Sequence, residues 1–284
     1  MKTVPGPANR VVVVGAGLAG LAAALHLAGR GRDVTVLERD LGPGGRAGRV
    51  ERHGYLLDTG PTVLTMPSIL RDTFAAVGAE LTAELPLARL DPAYVAQFAD
   101  GSTLPVHTDA AAMTDAVRDF AGPAEAAGYV RLRDWLTRLY RAEFGRFVDA
   151  NIDSPLGMLR PELARLVALG GFRRLDNQVG RFLRDERLKR VFTFQALYAG
   201  ESPMRALALY AVISYMDTVG GVYFPPGGVA ALPRALARVA AGAGVEFGYR
   251  DAVSELERAG SRVTAVRTAA GARHACDAVV LTTE

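Results

Sequence analysis

The chain has a single cysteine, Cys276, among 284 residues. One thiol excludes an internal disulfide and fits a reducing cytosol, and its place beside an apolar segment predicts that it is buried and inert. The four histidines are scattered without the spacing of metal ligands, and no arrangement of serine, histidine and aspartate stands out. These absences argue against metal chemistry and against a catalytic triad.

Long hydrophobic runs are also absent. The longest mainly apolar run, residues 206–216, has eleven residues, whereas a membrane-spanning helix needs about 18. Three glycines interrupt the apolar stretch near the N-terminus, which argues against a secretory signal. Basic and acidic residues number 33 and 30, so the net charge of +3 does not indicate a nucleic-acid-binding surface.

The strongest pattern begins at residue 11. Val11–Val14 is an uninterrupted β-branched run, typical of a parallel strand covered by helices on both faces. A glycine loop follows, with the sequence Gly15-Ala16-Gly17-Leu18-Ala19-Gly20. Its first glycine permits a sharp turn, its second lets a diphosphate approach the backbone, and its third lets the next helix pack closely. The free amides and the dipole at the start of that helix favour a diphosphate.

The second predicted strand, Asp33–Glu38, ends in an acid. Glu38 lies eighteen positions beyond Gly20, where a carboxylate can accept hydrogen bonds from a ribose diol and would repel a 2′-phosphate. Strand, loop, helix, strand and acid, in that order, predict a Rossmann-like unit. They indicate FAD or NAD as the ligand, and not NADP.

Further glycine-rich turns follow the acid. Gly44-Gly45-Arg46 adds a second flexible backbone segment beside a guanidinium, which suits the phosphates of a large dinucleotide. Tyr55–Asp58 is a predicted short strand, and the turn Gly60-Pro61-Thr62 comes directly after it. Either glycine turn alone would also be typical of an ordinary surface loop.

The whole series resembles the FAD signature shared by amine oxidases, protoporphyrinogen oxidases and carotenoid desaturases. Residues 192–203, FTFQALYAGESP, and 221–228, GVYFPPGG, narrow the resemblance to the bacterial phytoene desaturase family. The resemblance implies FAD as the cofactor and, for Val253, a backbone contact with the adenine. The predicted cofactor-binding residues are Gly15, Ala16, Gly17, Leu18, Ala19, Gly20, Glu38, Arg39, Gly45, Arg46, Gly60, Pro61, Thr62 and Val253.

The predicted fold class is α/β with two lobes. A Rossmann-like FAD-binding lobe takes residues 1–78 and returns with residues 223–284, so it is discontinuous. Residues 79–222 form a mainly helical substrate lobe with a small β-sheet, whose strands Tyr94–Phe98 and Thr103–Val106 are joined at Asp100-Gly101. In the returning segment, the sequence predicts a helix at residues 229–241. It also predicts four strands, at residues 245–249, 253–256, 263–268 and 278–282.

The resemblance also implies a reaction: FAD-dependent desaturation of a phytoene-like polyene in carotenoid biosynthesis, with hydride transfer to flavin N5. The second hydrogen can leave as a proton to Asp153, to Asp217 or to water, and the sequence does not rank these acceptors. Tyr215, Tyr223 and Phe224 suit the lining of an apolar tunnel and equally suit a plain core.

Two alternatives stay open. One is another flavin oxidoreductase, such as an amine oxidase. The other is an incomplete, non-catalytic chain that needs a separate C-terminal chain as partner, because members of the resembled family are much longer.

A basic amphipathic segment spans Leu156 to Arg174. One helical face carries Leu159, Leu163, Leu166 and Val167, and the arginines are Arg160, Arg165, Arg173 and Arg174. This pattern fits core packing or a membrane interface. Because the family's substrates are lipids, we expect a cytoplasmic protein attached peripherally to a membrane surface.

A second group of arginines follows this segment. Arg181, Arg184, Arg187 and Arg190 recur at helical spacing, with acids among them. This spacing predicts a solvated helix face rather than an anion site.

Overall fold

The structure is a computed structural model that describes residues 8–144 and 161–283. It divides into two compact units. The middle unit comprises residues 89–222. The dinucleotide unit comprises residues 3–88 and 223–284.

The strands are β1 (Arg10–Val14), β2 (Asp33–Glu38), β3 (Arg49–Arg52), β4 (Tyr55–Asp58), β5 (Ala88–Arg89), β6 (Tyr94–Gln97), β7 (Thr103–Val106), β8 (Tyr223–Phe224), β9 (Glu246–Tyr249), β10 (Val253–Ala259), β11 (Arg262–Thr268), β12 (Arg273–Ala275) and β13 (Ala278–Leu281). The α-helices are α1 (Leu18–Ala28), α2 (Pro67–Ala75), α3 (Leu81–Glu84), α4 (Ala110–Ala121), α5 (Pro123–Glu143), α6 (Pro161–Ala168), α7 (Leu175–Val179), α8 (Glu186–Val191), α9 (Ala211–Tyr215) and α10 (Ala231–Gly242). Two 3₁₀ segments, Phe194–Ala199 and Ala208–Tyr210, and a π-helical turn, Met216–Gly220, complete the described elements.

The dinucleotide unit is built on a parallel sheet with the strand order β13-β1-β2-β9. Side chains of alternate residues enter two cores, as the two-residue period of a strand requires. Val13, Val34 and Val36 pack with α1 and α10, and Val12 and Val14 pack with residues of β11 and its neighbours. The β-branched run is therefore buried on both faces. Among the described residues, helices cover only one face, and the antiparallel sheet β10-β11-β12 contributes the cover of the other, so the prediction of helices on both faces was wrong.

The first segment of the dinucleotide unit runs to Ala88, beyond the predicted boundary at residue 78. Leu81 and Leu85 explain the difference, because both are buried in the core that contains α1 and α10. The predicted returning elements all form: α10 and β9, β10, β11 and β13 lie within three residues of their predicted bounds.

The middle unit is mainly helical, as predicted, and α5 runs through its core. Leu132, Leu136 and Leu139 of this helix are buried against residues from α4, α7 and α8. The predicted hairpin is present as β6 and β7, which pair antiparallel. Its inward side chains, Leu104 and Val106, join the same core.

Two helical expectations for this unit were wrong. The helix within residues 156–174 ends at Ala168, which leaves Arg173 and Arg174 outside it, and Leu166 is buried in the core while Val167 is 60% exposed. Leu159 and Arg160 lie outside the described residues. The four later arginines do not share a helix face, because α8 begins only at Glu186. Arg187 instead lies over the Phe120 ring at 4.3 Å and pairs with Asp185.

Candidate cofactor site

The glycine loop that joins β1 to α1 is tightly packed at Gly15 and Gly20. Gly15 has φ of +105°, a conformation that side-chain-bearing residues rarely adopt. A Cβ on Gly20 would clash with the Gly15 carbonyl oxygen, so α1 can start directly against the end of β1. In contrast, a Cβ on Gly17 would meet no atom within 4 Å. The loop is therefore closed on its protein side and open at Gly17, where a diphosphate can approach the backbone.

Glu38 is buried at the end of β2 and faces this loop. Its Oε2 atom accepts a hydrogen bond from the Ala16 amide at 2.7 Å, and Oε1 accepts one from the Asp40 amide at 2.9 Å. Each carboxylate oxygen has two acceptor positions, so these bonds leave capacity for the two hydroxyls of a ribose. The acid thus lies at the predicted place and also fixes the loop, a role that the sequence did not indicate.

The second glycine segment lies directly beside the first. The Gly44 amide donates to the Ala16 carbonyl oxygen at 2.9 Å, and Gly44 pairs with Gly17 as an isolated parallel bridge. A Cβ on Gly60 would clash with the Arg46 carbonyl oxygen. The structure therefore brings three predicted segments, around Gly17, Gly45 and Gly60, to one surface. Close approach of the protein backbone explains the glycine at position 60, and a φ of +53° favours glycine at position 45.

An open cleft of about 620 Å³ adjoins this surface. Its lining includes the predicted residues Arg39 and Gly45, together with Arg49 and Arg234. Guanidinium groups around a glycine-rich backbone suit the phosphates of a dinucleotide. Arg234 comes from α10, more than 170 residues beyond Gly45 in the sequence. No local sequence pattern distinguishes it from other surface arginines.

A polar clamp connects the hairpin β3–β4 to the Gly227-Gly228 turn. Asp58 accepts hydrogen bonds from the Val229 amide at 2.7 Å and from Arg49 Nε at 3.2 Å, and Arg49 also donates to the Gly227 carbonyl oxygen. Burial alone would raise the pKa of the Asp58 carboxyl, but the hydrogen bonds from Val229 and Arg49 lower it overall. The clamp holds the two segments at one wall of the cleft.

Thr282 is a further residue that the sequence did not single out. Its hydroxyl donates to the Val14 carbonyl oxygen at 2.9 Å. The same hydroxyl oxygen would lie within 3 Å of a Cβ on either Gly15 or Gly20. The end of the last strand thus supports the glycine loop from behind.

Five other predicted cofactor residues lie in helix α1, in the turn after Gly60 and in strand β10. Leu18 and Ala19 form the first turn of α1, and Pro61 and Thr62 are exposed beyond Gly60. Val253 begins β10 and packs, half buried, against the core that contains Val12 and Val14. Its backbone contact with an adenine stays a prediction.

The middle unit holds a separate polar cluster around Asp217. This carboxyl is 2% exposed and lies on the π-helical turn, with the Tyr198 hydroxyl 3.5 Å away. Gln195 donates from Nε2 to the Tyr94 hydroxyl at 3.4 Å. Burial raises the pKa of Asp217 to about 6 although Tyr198 opposes it, and burial together with Asp217 raises the pKa of Tyr198 to about 12. Asp153, the other proposed proton acceptor, lies outside the described residues.

The three aromatic residues proposed for a substrate tunnel are divided between the units. Tyr215 stacks on Tyr140 in the middle unit, with ring centroids 4.2 Å apart. Tyr223 pairs with Leu64 and packs against the core of the dinucleotide unit, and Phe224 is half buried beside it in the sequence. Their interpretation as tunnel lining stays a prediction.

Metal-ligating side chains do not cluster anywhere within residues 8–144 and 161–283. Over the same residues, every helix is too short or too polar to cross a membrane. Cys276 is buried as predicted, and burial raises the pKa of its thiol.

Comparison with known sequences indicates a flavoprotein family. The sequence profile of the family described as flavin containing amine oxidoreductase matches residues 18–284. A phytoene dehydrogenase from Streptomyces griseus is 63% identical over 99% of this chain and 55% of its own length. A zeta-carotene-forming phytoene desaturase from Myxococcus xanthus is 37% identical over 96% of this chain and 53% of its own length. These matches confirm the predicted resemblance to bacterial phytoene desaturases.

Solved structures support the same fold at low sequence identity. A putrescine oxidase variant aligns with a TM-score of 0.64 and 17% identity, covering 97% of this chain and 58% of its own. An oxidoreductase from Methanosarcina mazei aligns with a TM-score of 0.61 and 18% identity, covering 96% and 58%. The chain spans about half the length of the curated relatives that it matches. From the flavin fold, the glycine surface with its acid and the profile match, we conclude that the chain belongs to the flavin-containing amine oxidoreductase family and that its cofactor is FAD.

Proposed function

We propose that the chain contributes the FAD-binding part of a desaturase that acts on a phytoene-like polyene in carotenoid biosynthesis. The observation that carries the proposal is the surface at which Gly17, Gly44 and Glu38 meet, combined with 63% identity to a phytoene dehydrogenase. Identity at this level over nearly the whole chain favours a lipophilic substrate over an amine.

The residues of the dinucleotide unit have distinct parts in this proposal. The open backbone at Gly17 and the amides at the start of α1 hold the diphosphate, and Glu38 accepts from the ribose hydroxyls. Arg39 and Arg234 add positive charge at the adjoining cleft. FAD supplies the hydride acceptor, and the protein supplies orientation and electrostatics.

Loss of two hydrogens also needs a group that takes a proton. Among the proton acceptors that the sequence left open, Asp217 suits this role best. A buried carboxyl with a pKa of about 6 is ionised at neutral pH and can still be protonated readily. The Tyr198 hydroxyl at 3.5 Å is a polar neighbour through which that proton can leave.

Anaerobic flavin reduction tests the substrate class. The chain is loaded with FAD and mixed under nitrogen with phytoene in lipid vesicles or with putrescine, and the visible flavin band is followed. We expect phytoene to bleach the band and putrescine to leave it unchanged. Bleaching by putrescine alone would reject the desaturase proposal in favour of an amine oxidase.

Peripheral membrane attachment is the second part of the proposal. Val167 is 60% exposed and Phe172 is 47% exposed, and Arg165, two positions before Val167, is an exposed basic residue. Exposed apolar side chains with neighbouring arginines suit an anionic lipid surface. Sedimentation with anionic vesicles should carry the chain down, and Val167→Asp combined with Phe172→Asp should leave most of it in the supernatant. Equal sedimentation of both proteins would oppose this attachment site.

A further inference from the structure

Gln195 is a buried polar residue beside the cluster around Asp217. It lies on the 3₁₀ segment Phe194–Ala199 and is 1% exposed. Its Nε2 atom donates to the Val191 carbonyl oxygen at 3.1 Å and, through a long hydrogen bond of 3.4 Å, to the Tyr94 hydroxyl. Its Oε1 atom is buried and has no hydrogen-bond partner among the described residues. Burying an unpaired amide oxygen costs free energy that an apolar side chain would avoid, so the residue type indicates a role beyond packing.

The contact with Val191 determines which way the Gln195 amide faces. A backbone carbonyl oxygen only accepts hydrogen bonds, so the amide nitrogen, and not the amide oxygen, must lie against it. The same nitrogen is the atom that meets the Tyr94 hydroxyl, and this hydroxyl therefore accepts from Gln195. A phenolic hydroxyl can accept and donate at the same time. The proton of the Tyr94 hydroxyl thus points away from Gln195 and is available to another group.

Asp217 is the acid in the surroundings of that proton. Tyr94 and Tyr198 pack edge-on against the Phe194 ring, each with ring centroids 5.8 Å from it, and the Tyr198 hydroxyl lies 3.5 Å from Asp217. Burial, and then the charge of Asp217, hold the pKa of the Tyr94 phenol well above its usual value. The acid is therefore within electrostatic reach of the Tyr94 hydroxyl. Within residues 8–144 and 161–283 this hydroxyl donates to no other group.

Titratable groups on the helices that pack near Asp217 are engaged elsewhere. Arg133 of α5 donates to two backbone carbonyl oxygens, at 3.0 and 3.5 Å, and to a tyrosine hydroxyl at 3.1 Å. Tyr215 of α9 stacks on Tyr140. The 3₁₀ segment contributes Tyr198, and strand β6 contributes Tyr94. Two tyrosine hydroxyls therefore face the acid from two elements, and only one of them, that of Tyr94, is held by a buried amide.

We propose that Gln195 is a positioning residue for the proton acceptor: it holds the Tyr94 hydroxyl as a hydrogen-bond acceptor, so that the hydroxyl proton faces Asp217 and favours the ionised carboxylate. This inference rests on the proposed function, in which Asp217 takes the second hydrogen of the substrate as a proton. Only the ionised acid can take that proton. The proton moves from the substrate carbon to the carboxylate, and Gln195 and Tyr94 form and break no covalent bond.

NMR titration of the full chain tests the proposal. Aspartates are labelled with ¹³C at the side-chain carboxyl, and the signal that disappears in Asp217→Asn belongs to Asp217. We expect Tyr94→Phe to raise the titration midpoint of this signal by about 0.3 pH unit, which is about a twofold gain in proton affinity. Gln195→Met keeps the length of the side chain, removes the amide and should raise the midpoint similarly. The double variant should shift no further than Tyr94→Phe alone, because Gln195 acts through Tyr94.

Gln178→Met is the matched control for this titration. Gln178 is a buried glutamine of α7 in the same unit, in contact with Leu169 and Arg173, and its replacement should leave the Asp217 midpoint unchanged. An unchanged or lowered midpoint in Tyr94→Phe, or shifts of the two single variants that add in the double variant, would overturn the proposal.

A second variant covers the case in which Gln195→Met does not fold. Gln195→Glu is nearly isosteric, and its carboxyl accepts a hydrogen bond where the amide donated one, so the Tyr94 proton should turn away from Asp217. The midpoint should then rise by at least the amount expected for Tyr94→Phe, and an unchanged midpoint would overturn the proposal. The titration needs neither substrate nor turnover. A failure of phytoene to bleach the flavin would therefore reject the desaturase proposal and leave the titration result intact.

Discussion

The two units of the molecule assemble their candidate chemistry from different materials. The dinucleotide unit uses backbone: Gly17 leaves space, Gly44 donates its amide to Ala16, and Glu38 binds two amides. The middle unit uses side chains: the buried Asp217, the exposed Tyr198 and the half-buried Tyr94 form a polar cluster on three separate elements. Binding at a backbone site depends on the space beside the backbone, whereas the behaviour of a side-chain cluster depends on the protonation of its acid. Substitutions should therefore change cofactor binding in the dinucleotide unit and the pH dependence of stability in the middle unit.

The buried acids illustrate the contrast. Glu38 accepts short hydrogen bonds from two amides, whereas Asp217 has a single hydroxyl at 3.5 Å. A long contact with one hydroxyl compensates the Asp217 carboxylate poorly for its lost hydration. Burial therefore raises the pKa of Asp217 to about 6. One acid serves as a fixed anchor, and the other is suited to gaining and losing a proton.

The largest effect should come from filling the open space at Gly17. Gly17 has φ of −72°, and a Cβ there meets no protein atom within 4 Å, so neither the backbone conformation nor a clash at Cβ excludes a side chain. Gly17→Val should nevertheless lower FAD occupancy at least tenfold, because the side chain takes the room that the diphosphate needs. The measurement is flavin absorbance per protein after loading with excess FAD, together with the unfolding temperature.

Gly242→Val is the matched control for that prediction. Gly242 also has open space at its Cβ and has a φ outside the left-handed region, but it lies at the end of α10. This variant should load FAD normally. Normal flavin occupancy in Gly17→Val would mean that the diphosphate does not lie at the glycine loop.

The backbone site could be predicted from the sequence because its requirements are local. A β-branched run, three glycines at fixed spacing and a strand-terminal acid each follow from what a turn, a close approach and a helix start demand. The structure places Gly17, Gly45 and Gly60 on one surface, in agreement with that pattern. The elements of the returning segment were equally clear, because short apolar strands alternated with turn residues.

The remaining features depend on contacts between distant residues. Thr282 and Arg234 reach the site from parts of the sequence far from the glycine loop. Nothing in their neighbouring residues marks them as part of a cofactor site. The cover of the central sheet by β10, β11 and β12 was missed for the same reason, since a buried strand face does not reveal whether a helix or a sheet packs on it. The spacing of Arg181, Arg184, Arg187 and Arg190 also led to a wrong prediction of one helix face. Helix α8 begins only after Asp185, so the first two arginines lie outside it.

A smaller effect should follow from removing the acid of the backbone site. Glu38→Ala leaves the amides of Ala16 and Asp40 without their acceptor and removes the predicted contact with the ribose. We expect the free energy of unfolding of the FAD-free chain to fall by about 2–4 kcal/mol and FAD affinity to fall roughly tenfold. Denaturant unfolding and flavin titration measure the two effects.

Two variants sharpen the Glu38 prediction. Glu38→Gln keeps one carbonyl acceptor and should lie between the wild type and Glu38→Ala in both measurements. Glu246→Ala removes an exposed acid from the neighbouring strand β9 and should change neither. If Glu38→Ala unfolds like the wild type, Glu38 does not anchor the loop.

The smallest effect should come from Asp217, and it should depend on pH. The pKa of Asp217 is raised from 3.8 to about 6 in the folded chain, so the folded state binds a proton more tightly than the unfolded state. This stabilisation is complete below pH 3.8 and is lost as the pH rises through about 6. Asp217→Asn cannot ionise, so its stability should gain on the wild type over that window by on the order of 2 kcal/mol.

Thermal unfolding from pH 4 to 8 measures the Asp217 effect, and the difference between variant and wild type is the informative quantity, since it cancels other titrating groups. Asp119→Asn, an exposed acid on α4, should give a flat difference. Tyr198→Phe removes the hydroxyl that lowers the pKa of Asp217, so it should move the wild-type transition to higher pH, by less than about one unit because the contact is long. A flat difference for Asp217→Asn would mean that this carboxyl stays ionised, and the contrast between an anchoring acid and a titrating acid would fail.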